Sequence, residues 1–425
     1  MRKSILLLSL LATAASAQKV TLLPNPSENM YMGLGISANG KYICGTDMYQ
    51  GMFIADWQSG QIVSAATTDD ASGAELRSVS NEGLAVGFDG PAITFDLNGT
   101  RTALDEQESM AESITPDGKY ICGCIIPNSY TNNACLWTLG GNGYAKTSLP
   151  EPRDEALGYK TRGSSARLIS SDGTTLIGDV TDEMSTFPAC AWFQNKDGQS
   201  YSVYPISRRF FQNSKVEGDR PYQEFYATGI SSNGKWVAMQ LVETSTGNSR
   251  IGRYNIETDS LEVAEVDSSS EDFGAGSAIY TSKIADDGTM LLFTQSGMMN
   301  RKAGIWKAGD TYPALLSKKY AAAPELAAFD EAGFHVATDI TPDGKYITGF
   351  GADAETGYYE TYVLDTEAQP TSIESIGSGQ PTNGNHAASG NGTYYNISGQ
   401  RVATPAKGIH IIVNPTGKGR KIIVK

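Results

Sequence analysis

Seven copies of one turn phrase predict an all-β fold, a seven-bladed β-propeller. Two further observations support it. The strand after each turn is apolar at odd and even positions alike, and the last copy lacks a fourth strand that stands instead at the front of the chain. With 46 Gly, and 21 Tyr against 13 Phe and 5 Trp, the composition favours short strands and tight turns over long helices.

The phrase first reads Gly35-Ile-Ser-Ala-Asn-Gly40-Lys-Tyr-Ile-Cys-Gly45, and returns as Ser113-Ile-Thr-Pro-Asp-Gly118-Lys-Tyr-Ile-Cys-Gly123. Further copies surround Gly173, Gly234, Gly288 and Gly344, and a weaker one, Ser78-Val-Ser-Asn-Glu-Gly83, fills the gap between the first two. From Gly40 to Gly344 the turn glycines are separated by 43, 35, 55, 61, 54 and 56 residues, a spacing suited to propeller blades. Asn-Gly and Asp-Gly accept positive φ, so each copy is a hairpin turn between two strands. A strand such as Tyr120-Ile-Cys-Gly123 is apolar on both faces and is therefore buried on both. An aromatic landmark for a third strand follows each turn: Trp57, Phe95, Trp137, Trp192, Tyr254, Trp306 and Tyr362. A fourth strand then runs through segments such as Arg101–Leu104 and Pro313–Leu316. After Tyr362-Val-Leu-Asp365 no such strand follows, and Lys19-Val-Thr-Leu-Leu23 is expected to take its place and close the ring.

The ends read as addresses. Arg2 and Lys3, an apolar stretch from Ile5 to Leu11 and the small residues Ala15-Ser-Ala17 form a secretory signal peptide over 1–17. The propeller is expected over 18–365. A linker rich in Ser, Gly and Asn follows over 366–392, and a small β-module over 393–425. Nothing between these ends is apolar enough to span a bilayer. The formal charge is −14, although 396–425 carries six cations and no acid, so the remainder is strongly acidic. That field argues against nucleic acid and anionic membrane surfaces as partners.

The phrase Ile-Ser/Thr-x-Asp-Gly-Lys-x-hydrophobic-x-Gly resembles the propeller repeats of extracellular HAF-type and Tol-B-like bacterial proteins. Such repeats serve binders, scaffolds and enzymes alike. Ser170-Ser-Asp-Gly-Thr-Thr175 is similar to the Asp-box of sialidases in its turn alone, for Leu176 stands where that motif wants an aromatic. In the tail, Tyr395-Asn396, Gly399, Val402, Gly408 and the closing Lys421-Ile-Ile-Val-Lys425 resemble the C-terminal sorting domains of Bacteroidetes proteins exported by type IX secretion. That resemblance implies an outer-membrane secretion machinery as a partner and a cell-surface or extracellular destination. His410 replaces the tyrosine common in that family.

Chemistry-bearing motifs are scarce. No Gly-x-Ser-x-Gly elbow, His-Glu-x-x-His, Walker loop or dinucleotide fingerprint is present, and neither a metal nor a cofactor is called for. Of the three histidines only His335 lies within the repeats. Cys44 and Cys122 share one repeat position and Cys135 and Cys190 another, as small core residues would, while Cys124 and Cys135 could bridge a hairpin as a disulfide. Loops between second and third strands, and between blades, vary in length and open on one end of the ring. There, Arg208, Arg209, Phe210, Phe211, Tyr222, Phe225 and Tyr226 combine cations with aromatics. The expected ligand-binding residues are therefore Arg208, Arg209, Phe210, Tyr222, Tyr226 and His335. They imply a secreted, non-catalytic binder of protein or glycan, with a carboxylate-pair hydrolase or lyase as the alternative.

Overall fold

The structure, a computed structural model, describes residues 20–26, 30–48, 51–67, 73–128, 131–151, 161–182, 189–206, 222–266, 270, 272–273, 278–296, 300–321 and 323–368, with 393–396, 401–402, 408–413 and 419–424 of the tail. After β1 (Val20–Leu22), blade one comprises β2 (Tyr31–Ile36), β3 (Tyr42–Asp47), β4 (Gly51–Asp56) and β5 (Gln61–Thr67). Blade two holds β6 (Glu75–Val79), β7 (Ala85–Phe88), β8 (Ala92–Phe95) and β9 (Arg101–Ala103). Blade three holds β10 (Ser109–Ile114), β11 (Tyr120–Asn128), β12 (Thr131–Gly140) and β13 (Gly143–Ser148). Blade four holds β14 (Thr161–Ile169), β15 (Thr175–Asp182), β16 (Ala189–Gln194) and β17 (Tyr201–Pro205). Blade five holds β18 (Tyr222–Ile230), β19 (Trp236–Glu243), β20 (Ser249–Asn255) and β21 (Ser260–Val263). Blade six holds β22 (Ala278–Ile284), β23 (Met290–Ser296), β24 (Asn300–Trp306) and β25 (Ala314–Leu315), followed by the one-turn helix α1 (Leu316–Lys319). Blade seven holds β26 (Val336–Ile340), β27 (Tyr346–Ala352) and β28 (Tyr359–Asp365).

Every blade is a four-stranded antiparallel sheet, and the order β1-β28-β27-β26 shows that the chain's first strand completes its last blade. Val20 pairs with Leu364, Thr21 with Val363 and Leu22 with Tyr362, as the sequence led one to expect. The first strand of each blade touches the first strands of its two neighbours, and β26 touches β2, so seven inner strands form a closed ring.

Hydrophobic cores lie between blades rather than inside one centre. Cys44, Met52 and Ile54 of blade one meet Leu76, Val79 and Phe95 of blade two. Ile43 and Phe53, from the other face of blade one, meet Leu23 and Val363 of blade seven. Adjacent residues of one strand thus enter different cores, which explains why the post-turn strands are apolar at every position. Val20, with no exposed surface, joins the core shared by blades six and seven, and Leu23 joins the next one.

The turn phrase is a hydrogen-bonded device. Ser170 Oγ donates to Asp172 Oδ1 (2.7 Å) and accepts from the backbone N–H of Thr175 (3.1 Å). Thr115 with Asp117, Ser37 with Asn39, Ser231 with Asn233 and Thr341 with Asp343 repeat the first bond. The Asx residue therefore closes its own turn, a role Asn and Asp fill equally. At two of the blade junctions the aromatic after the turn seats the next turn: Tyr120 lies beneath Gly173 and Tyr346 beneath Gly40, each so close that a Cβ on the glycine would fall 2.5 Å from the ring.

Two sequence expectations are corrected. Phe95, Trp137, Trp192, Tyr254 and Trp306 share one register, but Ala55 and Leu364 hold that place in blades one and seven. Trp57 lies just beyond β4, where its Nε1 donates to the Gly40 carbonyl (2.6 Å), whereas Tyr362 does lie in the third strand β28, two residues ahead of that register. The expected Cys124–Cys135 bridge is also absent. Cys124 pairs with Ala134 and Cys135 with Gly123, so the one-residue offset turns the two thiols to opposite faces of the blade. All five cysteines are free and buried.

Residues Gln18–Ala368 form one compact unit, and the tail belongs to another. Within the tail, Thr393–Asn396 (β29), Arg401–Val402 (β30), Gly408–Val413 (β31) and Gly419–Val424 (β32) form an antiparallel sheet in the order β30-β29-β31-β32. Among the described residues no helix is long and apolar enough to cross a membrane.

Candidate functional site

Each inner strand carries a β-bulge at the same place. The unpaired extra residue is Leu34, Arg77, Glu112, Arg167, Thr228 or Thr338 in blades one to five and seven, and falls within Ser282–Lys283 in blade six. A bulge re-aims side chains that the ladder would otherwise hold. Here the bulged positions of blades one to five, together with Lys283, line a chamber of about 570 Å³ between the inner strands. Glu75, Asp179, Tyr226 and Gln240 complete its wall toward the long-loop end.

Below this chamber the passage narrows to a space of about 90 Å³ ringed by Ile36, Val79, Ile114, Ile169, Ile230, Ile284 and Ile340. These are the β-branched residues of the seven turn phrases. The phrase therefore builds a narrow collar at the short-turn end, where these side chains alternate with Ser78, Ser113, Ser171 and Ser232, and Leu168 and Lys283 line both spaces.

Blades two to four supply a charged wall. Arg77 Nε binds Glu75 Oε1 at 2.7 Å, and its Nη1 binds the buried Glu112 carboxylate of the next blade. Burial disfavours the Arg77 cation, but Glu112 and Glu75 outweigh it and hold its pKa above the usual guanidinium value. Arg167 Nε reaches both oxygens of Asp179, at 2.7 and 3.0 Å. Burial raises the Asp179 pKa and Glu112 adds to the rise, while Arg167 opposes them. Two guanidiniums thus pair with three carboxylates, which leaves the wall one negative charge in excess.

Lys283 stands on blade six without an ion pair among the described residues. Asp339, its neighbour on blade seven, is committed elsewhere: Oδ2 accepts the N–H of Ile36 (3.0 Å) and Oδ1 that of Ile340 (2.9 Å). Burial raises its pKa, and Lys283 with these two donors limits the rise. The Ile36 bond crosses from blade seven to blade one, and Ser78 Oγ accepts Ile114 N–H (3.3 Å) across the next-but-one blade interface in the same way. Among the described residues no cluster of His, Cys, Asp and Glu is arranged to hold a metal ion.

The residues expected from the sequence do not converge. Tyr226 lines the chamber opposite Gln240 in the ladder. Tyr222 pairs with Glu243 and packs against the core between blades four and five. His335 is 5% exposed, and its Nε2 lies 3.0 Å from both oxygens of Asp330, so it fastens the loop before β26. Arg208, Arg209 and Phe210 lie outside the described residues. Sequence reasoning missed Arg77, Glu112 and Arg167, although all three stand two residues before the Ile or Val of their own phrase. That alignment was the available signal.

No family model and no curated protein matches this chain. Among solved structures it is similar to the β-propeller domain of Myceliophteria thermophila Cps50 (Swd1), with 10% identity and a TM-score of 0.48 over 81% of this chain and 99% of that one. By its own topology the chain is a seven-bladed β-propeller.

Proposed function

We propose that this chain is an exported propeller that holds a protein or glycan ligand at the long-loop end of its channel, by binding rather than by turnover. The observation that carries this reading is the chamber of about 570 Å³, within the usual range of ligand pockets, which narrows below to a space of about 90 Å³. Its carboxylates support binding over acid–base chemistry, because Glu75 and Glu112 share Arg77 and Asp179 holds Arg167. The leader and the sorting-like tail support a surface or extracellular address. Peptide and glycan arrays probed with the mature chain test the reading, with Leu34→Trp as the channel-blocking control. Ligand capture that Leu34→Trp abolishes is the expected result, and capture indifferent to it would place the ligand elsewhere. Turnover of a captured polysaccharide would replace binding by the hydrolase or lyase alternative. For the address, a host expressing the chain with and without 393–425 is fractionated. Equal surface exposure of both forms would remove the sorting role from the tail.

A further inference from the structure

Three consecutive blades present donors to the chamber that nothing in the described structure uses. Arg167 of blade four spends its Nε on Asp179, while its two terminal nitrogens make no hydrogen bond among the described residues, and its side chain remains 47% exposed. Gln240 of blade five has an amide with no hydrogen-bond partner there, and Lys283 of blade six makes no hydrogen bond or contact ion pair there, its charge acting on Asp339 only from beyond contact distance. All three line the same chamber. By contrast, the one guanidinium of blade two, Arg77, is engaged by two carboxylates, Glu75 and Glu112.

We infer that this arc of Arg167, Gln240 and Lys283 holds a carboxylate carried on a peptide. The inference rests on the binding reading above. A guanidinium, a primary amide and an ammonium are donors that together match the lone pairs of one carboxylate, and the two cations make those bonds charge-assisted. The opposite wall selects what carries it. Glu75 and Glu112 share one guanidinium, so that side keeps acceptor capacity suited to backbone N–H groups. A peptide supplies N–H donors beside its carboxylate. An acidic polysaccharide supplies repeated negative charge to a chain already at −14, and the described lining offers a sugar only one aromatic ring, Tyr226.

The test titrates the full mature chain with a panel of N-acetylated tripeptides having free C-termini, with C-terminally amidated twins, with twins whose acidic side chains are amides, and with oligogalacturonate. The expected result is saturable binding at one site by members of the panel. Binding weakens at least tenfold in whichever twin loses the engaged carboxylate, which tells a chain terminus from an acidic side chain. A similar loss is expected for Lys283→Gln and for Arg167→Gln, with Lys283→Arg retaining most of the affinity and all variants melting cooperatively. Undiminished binding by Lys283→Gln and Arg167→Gln, absence of peptide binding, or capture of oligogalacturonate alone would overturn the inference. Peptide binding lost in Leu34→Trp but kept in Lys283→Gln would spare the channel and remove only the carboxylate arc. Binding kept in Leu34→Trp would remove the channel itself.

Discussion

The guanidinium of Arg253 lies 4.2 Å from the ring centroid of Trp306, so blade five grips blade six through a cation held over an indole. Arg253 is only 4% exposed, and its Nη1 also donates to the Gly288 carbonyl of blade six at 3.0 Å. Its charge is balanced by a forked pair to Glu262, with both N–O distances 2.8 Å, although Glu262 is 51% exposed. The energy therefore sits mainly at the buried end. Arg253→Met, which keeps the packing but leaves Gly288 without its donor, should cost about 1–3 kcal/mol. Glu262→Gln, at the solvent-screened end, should cost less than about 1 kcal/mol. Denaturant unfolding of both variants checks this, and equal losses would contradict it.

Closure of the ring depends on a strand of three residues. Deleting 18–24 uncovers the edge of β28 and takes Val20 and Leu23 out of two separate cores. The deletion should lower the melting temperature by several degrees, and Val20→Asp, which buries a carboxylate without a partner, should cost about 3 kcal/mol or more. If the truncated chain melts with the intact one, the first strand is not what holds the last blade.

How much of this was legible follows from which interactions depend on residue type. The turns could be read because Ser170 and Asp172, or Ser37 and Asn39, must be those kinds of residue to bond one another. The closure could be read because the seventh phrase lacks a fourth strand after Asp365 while an unassigned strand, Lys19–Leu23, stands before the first. The chamber could not be read in the same way. Its bulged position is filled by Leu34, Arg77, Glu112, Arg167, Thr228 and Thr338 in different blades, because the bulge is a backbone feature and tolerates any side chain that faces open space. The offset of Cys124 from Cys135 was hidden for a related reason: a hairpin's register is set by its turn, and one residue decides which face a thiol takes.

The turn aspartates make stability fall in acid. Burial alone would raise the Asp172 pKa, but bonds from Ser170 Oγ and the N–H and hydroxyl of Thr174 outweigh it and hold the carboxyl below its ordinary value. Asp117 is held low in the same way by Thr115 and the Lys119 N–H. A carboxyl lowered in the folded state contributes stability that is complete above its unfolded pKa, near 4, and that is lost as pH falls through the lower folded value. Asn39 and Asn233 do the same job in blades one and five without a charge. The double variant Asp117→Asn, Asp172→Asn should therefore match the parent at pH 7 to within about 1 kcal/mol. It should lose less stability than the parent between pH 4 and pH 2. Urea midpoints across that window decide it, and parallel curves would show that these carboxyls carry none of the acid sensitivity.

The thiols should be inert in the folded chain. Cys44, Cys122, Cys124, Cys135 and Cys190 are all buried, and burial pushes every one of these thiols above its usual pKa. A thiol reagent at pH 8 should label none of them until denaturant is added, and then all five. Reductant should leave the melting temperature unchanged. A drop on reduction would mean that Cys124 and Cys135 are joined after all and that the β11–β12 register is wrong.

Two glycines with the same backbone angle separate strain from crowding. Gly60 has φ +68° with nothing within 4 Å of the place a Cβ would occupy. Gly173 has φ +75°, but there the Cβ would fall 2.5 Å from Cδ2 of Tyr120, the aromatic that blade three sets beneath the turn of blade four. Gly60→Ala should therefore cost only the left-handed backbone penalty, about 1–2 kcal/mol. Gly173→Ala bears that penalty and must also move a ring packed against the core between blades three and four, so its loss should exceed that of Gly60→Ala by about 1–3 kcal/mol. Removing the ring isolates the second part. In a double-mutant cycle, Tyr120→Ala should cancel most of the excess at Gly173 and leave Gly60→Ala unchanged. If Gly173→Ala and Gly60→Ala cost the same, the aromatic is not seated beneath the neighbouring turn, and the contact that links successive blades through this phrase does not exist.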